Sequence, residues 1–111
     1  RPIQESKLPH PVDIYERENG LGLDIACTGI SKEDIEIQIE GNIIRVNYQK
    51  PEEEDRQEFI HKGIAKRSFN LGWKIDSKFN LSKATAVFKN GLLQVIIPFA
   101  KGSEPKTLKI S

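Results

Sequence analysis

The dipeptide Asn90-Gly91 separates two apolar runs near the C-terminus of this 111-residue chain. A two-residue hairpin loop needs positive φ angles, and Asn-Gly is the pair that supplies them most readily. The flanking residues are apolar and often β-branched, as is typical of half-buried strands. The pattern predicts an antiparallel hairpin with strands over residues 83–89 and 92–97.

A period of two in the apolar residues predicts further strands upstream. We expect a short strand over residues 12–15, a hairpin turn at Asn19-Gly20, a turn at Gly41-Asn42 and a mixed strand beginning near Phe59. The alternating sets are Leu21, Leu23 and Ile25; Ile35, Ile37 and Ile39; Ile44, Val46 and Tyr48; and Arg67, Phe69, Leu71, Trp73 and Ile75. Short strands with frequent turns and no long amphipathic helix predict an all-β sandwich.

The charges are balanced, since 17 Lys and Arg residues face 16 Asp and Glu residues, for a formal net charge of +1. Such a chain has no general electrostatic attraction to nucleic acid or to an anionic membrane. No apolar run approaches the roughly 20 residues of a membrane span, and no signal peptide is recognisable. We expect one soluble domain that binds neither nucleic acid nor membrane.

Residues that could carry enzyme chemistry are few. Cys27 is the only cysteine and is expected to be a small buried side chain, compatible with the reducing cytoplasm. His10 and His61 lie in no recognisable ligand or nucleophile arrangement, and phosphate-loop, nucleophile-elbow and zinc-protease motifs are absent. The acidic run 52–55 lacks the spacing of a calcium loop. We expect no enzyme activity, no cofactor and no metal.

The segment Leu108-Lys109-Ile110 ends the chain after a flexible stretch over residues 101–106. In an extended segment, two residues spaced by one point in the same direction. An exposed tail offers Leu108 and Ile110 nothing of its own to bury against. It therefore suggests a protein that binds copies of itself or other chains, the alternative being a tail folded onto its own domain.

The run from Ala86 to Leu93 resembles the A-x-x-x-N-G-L-L signature of the α-crystallin domain of small heat-shock proteins. Leu108-Lys109-Ile110 resembles that family's C-terminal I/L-x-I motif. Other segments that agree in order and spacing are 11–16, 35–39, 42–46 and 59–69, the last being similar to bacterial inclusion-body-associated members. One departure is Cys27-Thr28-Gly29, where many members have a Leu-Pro-Gly turn.

The resemblance implies an immunoglobulin-like β-sandwich with a strand-bearing dimerisation loop and flexible termini. It divides the chain into a remnant of an N-terminal arm over residues 1–9, an α-crystallin domain over 10–101 and a C-terminal extension over 102–111. It also implies a groove for the tail of a neighbouring subunit. The groove residues would be Ile37, Ile39, Thr85 and Val87, and the tail residues Leu108 and Ile110. From the residues alone, these apolar rows are equally well ordinary core.

The segment 49–65 is too long and polar for a simple hairpin loop, and a mobile solvated loop is one interpretation. The resemblance implies that it carries a strand that exchanges between two subunits, with Phe59 and Ile60 as its anchors. Arg67 matches the family's dimer-interface arginine, which makes ion pairs. From sequence alone a solvated arginine is as reasonable.

The function that follows from the resemblance is an ATP-independent holdase. Dimer-based oligomers would bind partly unfolded client proteins in the cytoplasm and prevent their aggregation, and ATP-driven chaperones would refold the clients later. Two other classes stay open: a co-chaperone of the p23 type, and a secreted sandwich adhesion module. The long loop and the terminal Leu-x-Ile disfavour the first, and the single cysteine disfavours the second.

Overall fold

The computed structural model describes residues 10–51, 57–64 and 66–111. The arm expected over 1–9 and the acidic run 52–55 lie outside these residues. The strands of the described part are β1 Val12–Arg17, β2 Gly20–Ala26, β3 Ile35–Glu40, β4 Ile43–Tyr48, β5 Phe69–Lys74, β6 Thr85–Lys89 and β7 Leu92–Pro98. Short 3-10 helices lie at Lys32–Asp34 and Leu81–Lys83.

The strands form two antiparallel sheets, a four-stranded sheet with the order β1-β2-β7-β6 and a three-stranded sheet with the order β3-β4-β5. Their inner faces share one core, to which both sheets contribute buried side chains. The most completely buried are Leu23, Ile25, Cys27, Ile44, Val46, Val95 and Ile97. The predicted sandwich is therefore confirmed.

The predicted turn at Asn90-Gly91 is present between β6 and β7. Asn90 has a φ of 55° and Gly91 a φ of 76°, so both central positions of the loop are left-handed. The pairing of Lys89 with Leu92 closes the hairpin directly around them. Asn90 is the only described residue other than glycine with a positive φ.

The first hairpin is displaced by one residue from its predicted turn. Arg17 pairs with Gly20, so the loop residues are Glu18 and Asn19, and Gly20 already belongs to β2. A Cβ on Gly20 would lie 2.2 Å from the carbonyl oxygen of Ile97. Glycine is needed there for the close approach of β7 as well as for its φ of 153°.

Several predicted strand limits were also wrong. Lys83 ends a 3-10 helix rather than opening β6, because the side chain of Asn80 accepts a hydrogen bond from the Ser82 N–H and caps that turn. β5 starts at Phe69, so Arg67 precedes the strand whose parity it shares. No strand forms over 57–64, since this segment has no strand beside it in the single chain.

The topology leaves β3 and β6 as edge strands at the same side of the sandwich. The Cys27 N–H donates to the carbonyl oxygen of Gly91 at 2.7 Å, and this bond holds the connection toward β3 against the β6–β7 turn. The start of β3 and the end of β6 therefore lie at the same end of the molecule. Edge strands carry unpaired backbone groups that can accept another chain.

Candidate functional site: the cleft between two edge strands

An open cleft of about 420 Å³ runs between β3 and β6. Its lining is apolar except for one lysine at the rim, and comprises Lys32, Ile35, Ile37, Ala86, Val87, Phe88 and Leu93. Leu93 is buried and forms the floor, whereas Ile35, Ile37 and Phe88 are half-buried. The cleft is therefore a place where the core of the sandwich can be reached from outside.

Strand register decides which side chains of β6 face the cleft. Ala86 pairs with Val95 and Phe88 pairs with Leu93, and both partners are buried in the core. Ala86 and Phe88 therefore share the inner face. They were missed at the sequence level, although the register that a two-residue turn at Asn90-Gly91 imposes pairs them with Leu93 and Val95.

The predicted groove residues are only partly brought together. Ile37 and Val87 line the cleft, whereas Ile39 and Thr85 lie outside its lining and are exposed. Val87 pairs with Gln94 on the outer face of the large sheet, and 52% of its surface is exposed. It borders the mouth of the cleft, while its neighbours Ala86 and Phe88 face inward.

The two tail residues are nearly free of their own domain. Leu108 is 89% exposed and Ile110 is 93% exposed. Residues 105–111 form no helix or strand. Two large apolar side chains in this state are available to a second molecule.

The predicted dimer residues lie on the connection that precedes β5. Phe59, Ile60 and the neighbouring Ile64 are large exposed apolar residues. The ammonium of Lys62 lies 5.2 Å from the centre of the Phe59 ring. Arg67 is exposed, three residues beyond Ile64. The structure thus presents three exposed apolar side chains on this segment, followed by the cation of Arg67.

The opposite edge of the large sheet also carries an uncovered apolar residue. Ile14 of β1 pairs with the buried Leu23, which places it on the inner face, yet 52% of its surface is exposed. Its neighbour Tyr15 faces outward and donates a hydrogen bond to Asp24 Oδ1 at 2.9 Å. β1 is therefore a firmly held edge strand with an open flank.

Among the described residues, no group of three or more His, Cys, Asp and Glu side chains is arranged to hold a metal ion. Burial raises the pKa of the Cys27 thiol, and a hydrogen bond from the backbone at Leu93 opposes this in part. A hydrogen bond from the Ser31 hydroxyl lowers the pKa of the exposed Glu33 carboxyl. No helix in the described part of the chain is long and apolar enough to cross a membrane.

Comparison with known proteins gives the chain its family. The model of the Hsp20/alpha crystallin family matches residues 13–111. The chain belongs to this family. Small heat shock protein C2 of Rickettsia felis is 32% identical over 108 residues, which cover 96% of this chain and 69% of that protein. Membership of this family, which consists of non-enzymatic chaperones, supports a chaperone role for the chain.

Two further proteins are similar to this chain, one in sequence and one in fold. Small heat shock protein IbpB of Salmonella paratyphi B is 29% identical over 105 residues, covering 94% of this chain and 70% of that protein. The crystal structure of a small heat-shock protein from Xylella fastidiosa superimposes with a TM-score of 0.76 at 23% identity, over 96% of this chain and 99% of that one. That structure was described as having a distinct high order structure.

Proposed function

We propose that this small heat-shock protein is an ATP-independent holdase that acts in the cytoplasm. Partly unfolded proteins expose apolar surface, and the chain offers apolar surface at the β3–β6 cleft, the 57–64 segment and the tail. Binding a client in an unfolded state competes with its aggregation and needs no nucleotide. Refolding is left to ATP-driven chaperones.

Assembly beyond the dimer rests on a contact between the tail of one chain and the cleft of another. Leu108 and Ile110 are two residues apart, and so are Ile35 and Ile37 in the cleft. In extended chains both pairs span about 6.6 Å, at about 3.3 Å per residue. The equal spacing, together with two unpaired strand edges, is the observation that supports this contact.

The strength of one tail contact is modest. Burying two branched apolar side chains contributes about 3–6 kcal/mol before costs. Ordering a flexible tail removes much of this. A single contact is therefore reversible, and several contacts in one oligomer hold it together through multivalency. An assembly built this way exchanges its subunits.

The dimer itself is proposed to form through the 49–65 segment. Phe59 and Ile60 would pack against the β1 edge of a second copy, where Ile14 is uncovered. Arg67 would then pair with a carboxylate of the partner. The exposure of three apolar side chains on a segment without a strand of its own supports this exchange.

The holdase activity is tested by heating a thermolabile client in nucleotide-free buffer and following its light scattering. We expect scattering to fall as the chain is added, with no change on adding ATP. An equal mass of an unrelated β-sandwich protein is the control. Scattering that rises equally with and without the chain would contradict the proposal.

A further inference from the structure

The two lips of the β3–β6 cleft differ in charge. Residues of β3 whose partners on β4 are buried face inward, so the alternate residues of β3 face outward. The outward residues are Glu36, Gln38 and Glu40 on β3, and Thr85, Val87 and Lys89 on β6. All six are exposed. One lip is therefore acidic, and the other carries no carboxylate and a single cation, Lys89.

Two lysines lie at one end of the cleft. Lys32 lines it near the start of β3, and Lys89 ends β6. The bond from the Cys27 N–H to Gly91 brings these two ends together. Glu33 and Asp34 accompany Lys32 on the turn before β3, so the carboxylates near the cleft lie on the β3 side and none lies on β6.

The arginine of β4, Arg45, is directed away from the carboxylates of β3. Arg45 pairs with Gln38, between the two glutamates, but its side chain lies over Gly72 of β5. Its Nη1 is 3.2 Å from where a Cβ on Gly72 would stand. The amide of Gln38 donates a long hydrogen bond of 3.4 Å to Glu36.

Lys109 separates the two apolar residues of the tail. When Leu108 and Ile110 point into the cleft, the alternation of an extended chain directs Lys109 outward at its mouth. We propose that Lys109 forms an ion pair with a carboxylate of the β3 lip in the chain that receives the tail, and Glu36, between Ile35 and Ile37, is the one opposite Lys109. The ion pair makes the tail specific for the β3 lip. This inference rests on the tail-and-cleft contact of the proposed function.

The effect of one exposed ion pair is small but measurable. Exposed pairs contribute about 0.2–1 kcal/mol, which corresponds to an affinity change of about 1.4-fold to fivefold. Reversing the charge replaces attraction by repulsion, so the change between Lys109 and its Glu variant is expected to be larger, about threefold to tenfold. Salt screens such pairs, and the difference therefore shrinks at high ionic strength.

The experiment uses a fluorescent peptide of residues 102–111 and measures its anisotropy on binding. The receiving protein is the full chain with Leu108→Ala and Ile110→Ala, so that its own tail does not compete. Peptides are the native sequence, Lys109→Glu, Lys106→Glu as a control with the same net charge, and Leu108→Ala with Ile110→Ala. A second receiver adds Glu36→Lys and Glu40→Lys, and a control receiver adds Glu16→Lys and Glu18→Lys on the β1–β2 hairpin.

We expect Lys109→Glu to weaken binding more than Lys106→Glu does at low salt. The Lys109→Glu peptide should regain affinity on the receiver with Glu36→Lys and Glu40→Lys, but not on the hairpin control. Equal effects of the two peptide charge reversals, or no recovery on the matched receiver, would overturn the role of Lys109 while leaving the tail contact intact. Two other outcomes would overturn the tail contact itself, and the ion pair with it. One is an undiminished affinity of the peptide with Leu108→Ala and Ile110→Ala, and the other is no binding of the native peptide.

Discussion

The ring of Tyr15 on β1 lies against Gly22 on β2, where a Cβ would come within 2.5 Å of two of its ring carbons. The Tyr15 hydroxyl donates to Asp24 Oδ1 at 2.9 Å and accepts from Gln94 Nε2 at 3.1 Å. Gln94 also donates to Asp24 Oδ1, at 3.2 Å. One phenol therefore links three strands, and only glycine at position 22 leaves it room.

Gly22→Ala should destabilise the domain by displacing this ring. A methyl group at 2.5 Å forces the ring away from β2 and breaks its hydrogen bonds, at a cost of about 1–3 kcal/mol. Tyr15→Phe should cost about 1 kcal/mol, because Asp24 and Gln94 keep each other as partners. Urea unfolding measures both changes in the free energy of unfolding.

Gly72→Ala is the matched control for this substitution. Gly72 also lies in a strand, but the nearest atom to its Cβ would be Arg45 Nη1 at 3.2 Å, at the end of a flexible side chain. We expect a change of less than about 1 kcal/mol, of either sign. Equal losses for Gly22→Ala and Gly72→Ala would show that lost glycine flexibility, rather than the position of Tyr15, governs the result.

The buried thiol of Cys27 should make stability depend on alkaline pH. Burial raises the pKa of Cys27 in the folded chain. The unfolded chain therefore loses the thiol proton at a lower pH than the folded chain does. The contribution of the buried thiol to the free energy of unfolding is complete below about pH 8.5 and declines as the pH rises further. Cys27→Ala removes this dependence, so the stability difference between the native chain and the variant should narrow from neutral to alkaline pH.

The same burial should protect Cys27 from thiol reagents. It is 1% exposed, so labelling needs an opening of the core. We expect slow reaction of the native chain and immediate reaction in concentrated urea. Fast labelling under native conditions would contradict the buried position of Cys27 and, with it, the predicted dependence of stability on alkaline pH.

Changing both Leu108 and Ile110 to Ala should reduce species larger than dimers and spare the dimer. Each tail loses the two side chains that would enter a cleft, while the 57–64 segment is untouched. Light scattering after size exclusion over a dilution series gives the masses. Lys106→Ala with Thr107→Ala, just before the motif, is the control. Assemblies of unchanged mass in the Leu108 and Ile110 variant would refute the tail contact.

Deleting residues 52–62 should yield monomers, because the proposed exchanged segment is lost. A milder version replaces Phe59 and Ile60 by Ser, which removes two exposed apolar side chains. Glu58→Ser with His61→Ser is its control, since these neighbours are exposed and polar. Sedimentation at several concentrations separates monomer from dimer. Dimers that survive the deletion would rule out the exchanged strand.

The strands could be predicted because their signals are local. Ile44, Val46 and Tyr48 alternate with polar residues, and all three are buried. Asn90-Gly91 determines the last hairpin in the same way, since a loop of two left-handed residues tolerates few other pairs. Such features depend on side chains within a few positions of one another.

The faces of β6 could not be predicted in this way. Alternation separates Thr85 and Val87 from Ala86 and Phe88, but it does not say which pair turns toward the core. That choice depends on the register with Leu93 and Val95. Arg67 shows the same limit, since its parity with Phe69 continues past the point where pairing begins, at Tyr48 and Phe69.

A tail and a cleft carried by one chain are present in equal numbers at every concentration. Under the proposed contact, a client segment that occupies a cleft leaves one tail with no cleft to bind. The assembly then loses one tail contact for each client segment bound, so the size of the assembly falls as the amount of bound client rises. Disassembly would then report how much unfolded protein is present, without any conformational change in the sandwich.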